Sequence, residues 1–290
     1  MFAPRTNRLA VLARDWLRRA VPRSVRVEWV RLRRLPRWIL EAPLMARARV
    51  EDPRRDYPIC LAWHESPLQR GLFEGETELE RGKAINVAIA ASRLDGVRVD
   101  RFQVLSYHHL VGRPSRRRGF APGLELHAGE PAVGIGGGCC QVSNMLYLLA
   151  LRGGMKIVER HRHALDLFPD RARSIPFGLG ATVFYNAADL RFENPLPFPV
   201  LLRFDVRDGV LRGELRAPEP PDFRVEVYQE GHRFAREPDG WIRENWIRRR
   251  FSDLEGNELR DELVAHNRCR VCYEPTSTQT DEESRAAGPR

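Results

Sequence analysis

The sequence predicts an α+β fold, with helices in the N-terminal half packed on a mostly antiparallel sheet from the C-terminal half. Three observations carry this. Apolar residues recur with helical spacing in "RGKAINVAIAASRLDG" and again in "GGGCCQVSNMLYLLAL". Beyond residue 155 the pattern turns to short runs rich in β-branched and aromatic residues, separated by Gly, Pro, Asn or Asp. Within those runs "RFDVRDGVLRGEL" reads as a hairpin with Asp208 and Gly209 as its two-residue turn.

Taken in order, residues 1–50 form a basic segment. Leu9, Leu12, Trp16 and Ala20 fall at spacings of 3, 4 and 4 with Arg around them, an amphipathic helix pattern that "VPRSV" and "RRLPRW" interrupt. The segment holds 13 Arg against Asp15, Glu28 and Glu41, a net charge of +10, while the whole chain carries +9. The remaining residues are therefore close to neutral. No nucleic-acid motif accompanies the charge, so specific nucleic-acid binding is not expected. The stripe suits either packing on the main domain or peripheral contact with an anionic membrane surface.

An α+β domain is expected over 55–274. Its first helix is Arg81 to Gly96, with Ile85, Ile89, Leu94 and the intervening alanines on the buried side and Gly96 as its stop. "VRVDRFQVLSYHHLVG" reads as extended chain and "RPSRRRGFAPG" as a basic loop. After the cysteine-bearing helix come the strand-like runs "MKIVERHRH", "GATVFYN", "DLRFEN", "FPVLLRFDV", "GVLRGELRA" and "DFRVEVYQE". Residues 275–290 have too little apolar content to fold and read as a disordered tail. With no membrane-length apolar run, no recognisable secretory signal, and five cysteines in 290 residues, a cytoplasmic location is expected, with peripheral attachment to the inner face of the membrane through residues 1–50 as an addition to it.

The helix that begins at Cys140 carries the chemistry. Val142, Met145, Leu146 and Leu149 form its inward face, which leaves Cys140, Ser143, Asn144 and Tyr147 together on an unusually polar face. Gly136, Gly137 and Gly138 lead into it and let backbone approach a ligand closely. A thiol at a helix N-terminus is favoured as thiolate, so the Cys140 pKa should fall, and neighbouring amides or Gln141 can stabilise an oxyanion. His163, in "VERHRHALDLF", is the candidate base, sharing a strand face with Glu159 and His161. The glycines match neither a phosphate-binding P-loop nor the dinucleotide fingerprint, so no cofactor is expected. Cys269 and Cys272 make a single C-x-x-C, which with Cys139 or His161 is a weak zinc pattern, and no metal is assigned.

These residues also carry a resemblance. "GGGCCQVS" resembles the G-G-G-x-C-Q-x-S signature of the VanW family, known from VanB-type vancomycin resistance clusters. "ERHRHAL" is similar to the family's E-R-x-x-H-S, "GLGATV" to G-x-D-A-T-V and "DLRFEN" to D-L-x-F-x-N, so the likeness covers roughly residues 60–205. It singles out Cys140, Gln141, Ser143, Arg160, His163 and Asp189, with Cys139 in the variable place. Ala164 stands where a Ser is usual and Gly180 where an Asp is usual. The resemblance implies a connection with the cell envelope and glycopeptide resistance. Two functions fit: a ligand-binding or accessory domain with a polar pocket at Cys140 for a small molecule or cell-wall precursor, or a cysteine-nucleophile hydrolase or acyltransferase using Cys140, His163, Asp189 as orienter and Gln141 as oxyanion donor.

Overall fold

A computed structural model describes residues 22–50, 53–68, 77–127, 130–162, 165–166, 175–238 and 240–275. The stripe of Leu9, Leu12, Trp16 and Ala20 lies outside the described residues, as does the predicted tail beyond residue 275. The α+β reading holds, and the hairpin is its centre. Asp208 and Gly209 both have positive φ, 52° and 72°, the two-residue turn whose twist matches antiparallel strands. It joins β9 (Val200–Arg207) to β10 (Val210–Ala217) with Arg207 opposite Val210.

β1 (Ile59–Pro67), from the N-terminal half, pairs antiparallel with the outer edge of β10, and β2 (Arg98–Val99) pairs with β9, giving the order β1-β10-β9-β2. Two helices, α3 (Thr77–Leu94) and α5 (Cys140–Arg152), pack on this sheet. Gly213 on β10 permits the approach of α5, since a Cβ there would lie 2.5 Å from the Met145 sulfur. Val142, Leu146 and Leu149 are completely buried, each contributing about 1.5–3 kcal/mol by leaving water. On α3 the buried side is Val87, Ala90, Ala91 and Leu94, with Asn86 among them; Ile85, expected inside, is exposed.

The other elements surround this core. β11 (Phe223–Glu237), β12 (Gly240–Asp253) and β13 (Glu258–Val271) form long antiparallel strands, extended by parallel pairing of β13 with β7 (Leu165–Asp166). A third sheet runs β3-β8-β6 (Val104–Ser106, Arg191–Glu193, Lys156–Glu159). Three expectations need correction. Tyr107–Val111, expected as extended chain, is a short helix, α4, because Ser106 caps it by accepting from the His109 amide at 3.1 Å. Residues 122–135 form a hairpin of β4 (Pro122–His127) and β5 (Glu130–Ile135). "GATVFYN" forms no strand: apart from an isolated bridge between Phe184 and Ala188, its backbone hydrogen-bonds to the Ser143 and Asn144 side chains and, through Thr182 N, to the His161 carbonyl at 2.8 Å rather than to a continuous ladder.

At the N-terminal side, α1 (Arg23–Glu41) continues through Pro36, where the sequence predicted a break; α2 is the single turn Pro53–Asp56. Pro36 stands among exposed residues, where water can meet the carbonyl left without a donor. No helix of the described residues is long and apolar enough to cross a membrane.

Candidate functional site

Four glycines sit where the β4–β5 hairpin meets α5, and their close packing explains the Gly-rich turn. A Cβ on Gly137 would fall 2.2 Å from the Gly123 carbonyl carbon and oxygen, and one on Gly123 would fall 2.7 Å from the Gly137 oxygen. Gly136 and Gly138 have φ of 94° and 95°, and side chains there would strike Pro114 and Lys83. The close approach that these glycines permit is therefore to the protein's own backbone. Asn86, completely buried in α3, locks the junction: its Nδ2 donates to the carbonyls of Ala121 at 3.0 Å and Gly137 at 2.9 Å, and its Oδ1 accepts from the Ala121 amide at 2.8 Å.

The polar face of α5 is covered by residues 178–183. Ser143 Oγ donates to the Ala181 carbonyl at 2.6 Å, and Asn144 Oδ1 accepts from the Ala181 amide at 2.7 Å. The Cys140 thiol points at the Val183 carbonyl, 4.0 Å away. From the end of β6, Arg160 donates to Gly180 O at 2.8 Å and also to Gly178 O, with its guanidinium 4.9 Å from the centre of the Tyr147 ring. Tyr147, expected on the polar face, is buried in the core. Residues separated by up to 43 positions thus form one clamp, in which side chains, together with the His161 carbonyl that accepts from Thr182 N, satisfy a segment that joins no continuous ladder.

This environment reverses the predicted thiol chemistry. Burial pushes the Cys140 thiol above its ordinary value and Cys139 up to about 12. The amides that would favour a thiolate are already used: Cys139 N donates to Gly136 O, Gln141 N to Gly138 O, and Val142 N and Ser143 N to Cys139 O, at 3.0–3.3 Å. Gln141, expected as an oxyanion donor, donates through Nε2 to Ser66 Oγ and Pro67 O, each at 2.8 Å. Asp189 is buried at the start of α4, where it accepts from Ser106 Oγ at 2.6 Å, the His108 amide at 3.0 Å and the Leu190 amide at 2.9 Å. Burial raises its carboxyl pKa. His163 and Ala164 lie outside the described residues. Among the described residues no three His, Cys, Asp or Glu side chains gather as a metal site.

Beside the clamp lies an open recess of about 120 Å³ between the end of β1, the first turns of α5 and residues 175–180. Its lining includes the polar His64, Ser66, Gln141 and Asn144 and the apolar Met145, Ile175 and Leu179, and Cys140 is not part of it. The Gln141 Oε1 atom is buried and accepts no hydrogen bond among the described residues. The sequence pointed to Gln141 and Asn144 but not to His64 and Ser66, which lie about 75 positions upstream on a strand that was not recognised.

The glycine turn and the residues of the clamp lie within a stretch that defines a class of domain. Residues 82–216 match the family described as VanW like protein, and this stretch of the chain is VanW-like. Among its relatives, the Vancomycin B-type resistance protein VanW of Enterococcus faecalis is 25% identical over 195 residues, a match covering 67% of this chain and 71% of that one. The Uncharacterized protein YoaR of Bacillus subtilis is 32% identical over 126 residues, covering 42% of this chain and 39% of YoaR. No solved structure matches the chain.

Proposed function

We propose that this VanW-like chain is an accessory binding domain that takes a small polar molecule, a soluble cell-envelope precursor or fragment, in the recess next to Cys140. The observation that carries the reading is a recess lined both by polar side chains, His64, Ser66, Gln141 and Asn144, and by apolar ones, Met145, Ile175 and Leu179. Such a lining suits a ligand with amide or hydroxyl groups and a short aliphatic portion. Gly180 adds no side chain to the recess, where the family's usual Asp would place a carboxylate. The printed name of the enterococcal relative, a vancomycin resistance protein, supports an envelope molecule as the ligand class.

In this reading Cys140 is a clamp residue rather than a nucleophile. Its thiol lies under the Val183 carbonyl, and burial disfavours the thiolate. The test is native mass spectrometry and thermal shift with soluble peptidoglycan fragments and nucleotide-linked precursors. At least one should bind with a stoichiometry of one, and Ile175→Trp, which fills the recess, should weaken binding at least about tenfold, whereas Cys140→Ser should retain it. No binding across the panel, or equal binding by Ile175→Trp, overturns the proposal. Turnover of a fragment that disappears in Cys140→Ser replaces it with the nucleophile reading.

A further inference from the structure

α1 is attached to the domain by its polar side. Arg34 donates to Glu159 at 2.7 Å, Glu41 pairs with Arg191 at 2.7 Å, and Trp38 packs against His109 and Tyr185 with ring centres 5.7 and 6.2 Å away. Positions 34, 38 and 41 share one helical face. The opposite face contains Val25, Trp29, Leu32 and Ile39, at spacings of 4, 3 and 7, with Leu40 beside them. All five are exposed: Trp29 to 62%, Ile39 to 67% and Leu40 to 79%. An amphipathic helix ordinarily buries its apolar stripe. Here the stripe is exposed, with only Glu28 at its edge paired to Arg113 of the domain, and a continuous exposed apolar patch containing Trp marks an interaction surface.

We propose that this outward face of α1 lies flat on an anionic lipid surface and holds the VanW-like domain against it. Charge selects this occupant. Residues 1–50 carry +10, and α1 alone has six Arg against Glu28 and Glu41. Those two carboxylates are paired with Arg113 and Arg191, so neither offers opposite charge to a second copy of α1. A second copy would therefore meet like charge, whereas anionic headgroups complement exposed Arg33 and the net positive charge of residues 1–50 while the acyl region takes Trp29, Leu32 and Ile39. The surface is distinct from the predicted stripe at residues 9–20 and goes beyond the ligand-binding reading, because it uses none of the recess residues.

The experiment is flotation of the full chain with phosphatidylcholine vesicles and with vesicles that also contain phosphatidylglycerol, at ~0.15 M salt. Wild type should float with the anionic vesicles at least about tenfold more than with the neutral ones. A Trp29→Ser, Leu32→Ser, Ile39→Ser variant should lose that flotation about tenfold with unchanged circular dichroism and melting temperature, since the three side chains are exposed. As a second readout, brominated lipid should quench wild-type fluorescence more than that of Trp29→Phe. Absence of wild-type flotation overturns the proposal, as does equal flotation of the triple variant, which would assign binding to residues 1–21. So does concentration-dependent dimerisation that the triple variant abolishes in a wild type that does not float, which would make the occupant a second copy.

Discussion

α1 and α5 use their two faces in opposite ways. α5 puts its apolar side against β1 and β10 and also has its polar side covered by residues 178–183, with hydrogen bonds at Ser143 and Asn144. α1 meets the domain through Arg34, Trp38 and Glu41 and leaves Trp29, Leu32 and Ile39 outside. Hydrophobic burial and buried hydrogen bonds act together at α5, so the cost of a defect there is large. At α1 the attachments are ion pairs and ring contacts, of which the partly exposed Arg34–Glu159 pair is worth ~1 kcal/mol or less. The lesson is that the resemblance-bearing residues around α5 are held on both faces of the helix, whereas α1, outside the signature, is held on one face and leaves an apolar face exposed.

The comparison is broken most directly at the glycines. Gly137→Ala places a methyl against Gly123 backbone, which cannot rotate away, and should destabilise the domain by about 3 kcal/mol in urea unfolding; an unchanged midpoint would mean that the hairpin and helix are not in close contact. Next is Ser143→Ala, which leaves the Ala181 carbonyl without its donor and should cost about 1–2 kcal/mol. A neutral result would show that residues 178–183 are not clamped. Labelling then separates burial from reactivity. Iodoacetamide at neutral pH should modify exposed Cys272 and Cys60 before Cys140 and Cys139, as resolved by peptide mass spectrometry. Preferential labelling of Cys140 would restore a low-pKa thiol.

The smallest effect is at α1. Burial pushes the Glu159 carboxyl up, but hydrogen bonds from His161 and Arg34 outweigh it and hold the group below its ordinary value near 4.5. A depressed folded pKa means that the stabilisation is present above that value and lost as pH falls through the folded pKa. Hydrogen exchange in α1, corrected for intrinsic rate, should therefore accelerate below about pH 4.5, while α5 remains protected. Glu159→Gln should give the same loosening at neutral pH, with a loss of ~1 kcal/mol or less. Identical behaviour of the two helices would remove the distinction.

Local patterns were legible where the physics was local. The Asp208–Gly209 turn and the inward stripe of α5 needed no distant partner to be recognised. The β4–β5 hairpin was not recognised because "PGLELHAGEPAVGI" contains prolines and glycines that ordinarily argue against strands, and because the reason for Gly123 and Gly137 is a contact across 14 residues of chain. Cys140 was located correctly at the helix start, but the expected lowering of its thiol pKa runs against its burial. The rule for helix N-termini assumes unengaged amides, and the turn of Gly136–Cys139 uses them. Asn86 had a signal that was not followed: an amide in the middle of an alanine-rich helix implies a buried partner.

The pairing of β1 with β10, Ile59 opposite Ala217, sets an order for biosynthesis. By the time α3 and α5 have left the ribosome, the β9–β10 hairpin that covers them has not been made, since it begins at Val200. The nascent chain therefore holds Val87, Leu94, Val142, Leu146 and Leu149 without their sheet, and β1 waits through more than 140 residues for a partner. At ~5–20 residues per second that interval lasts several seconds or more, during which the chain presents an apolar surface suited to holding chaperones.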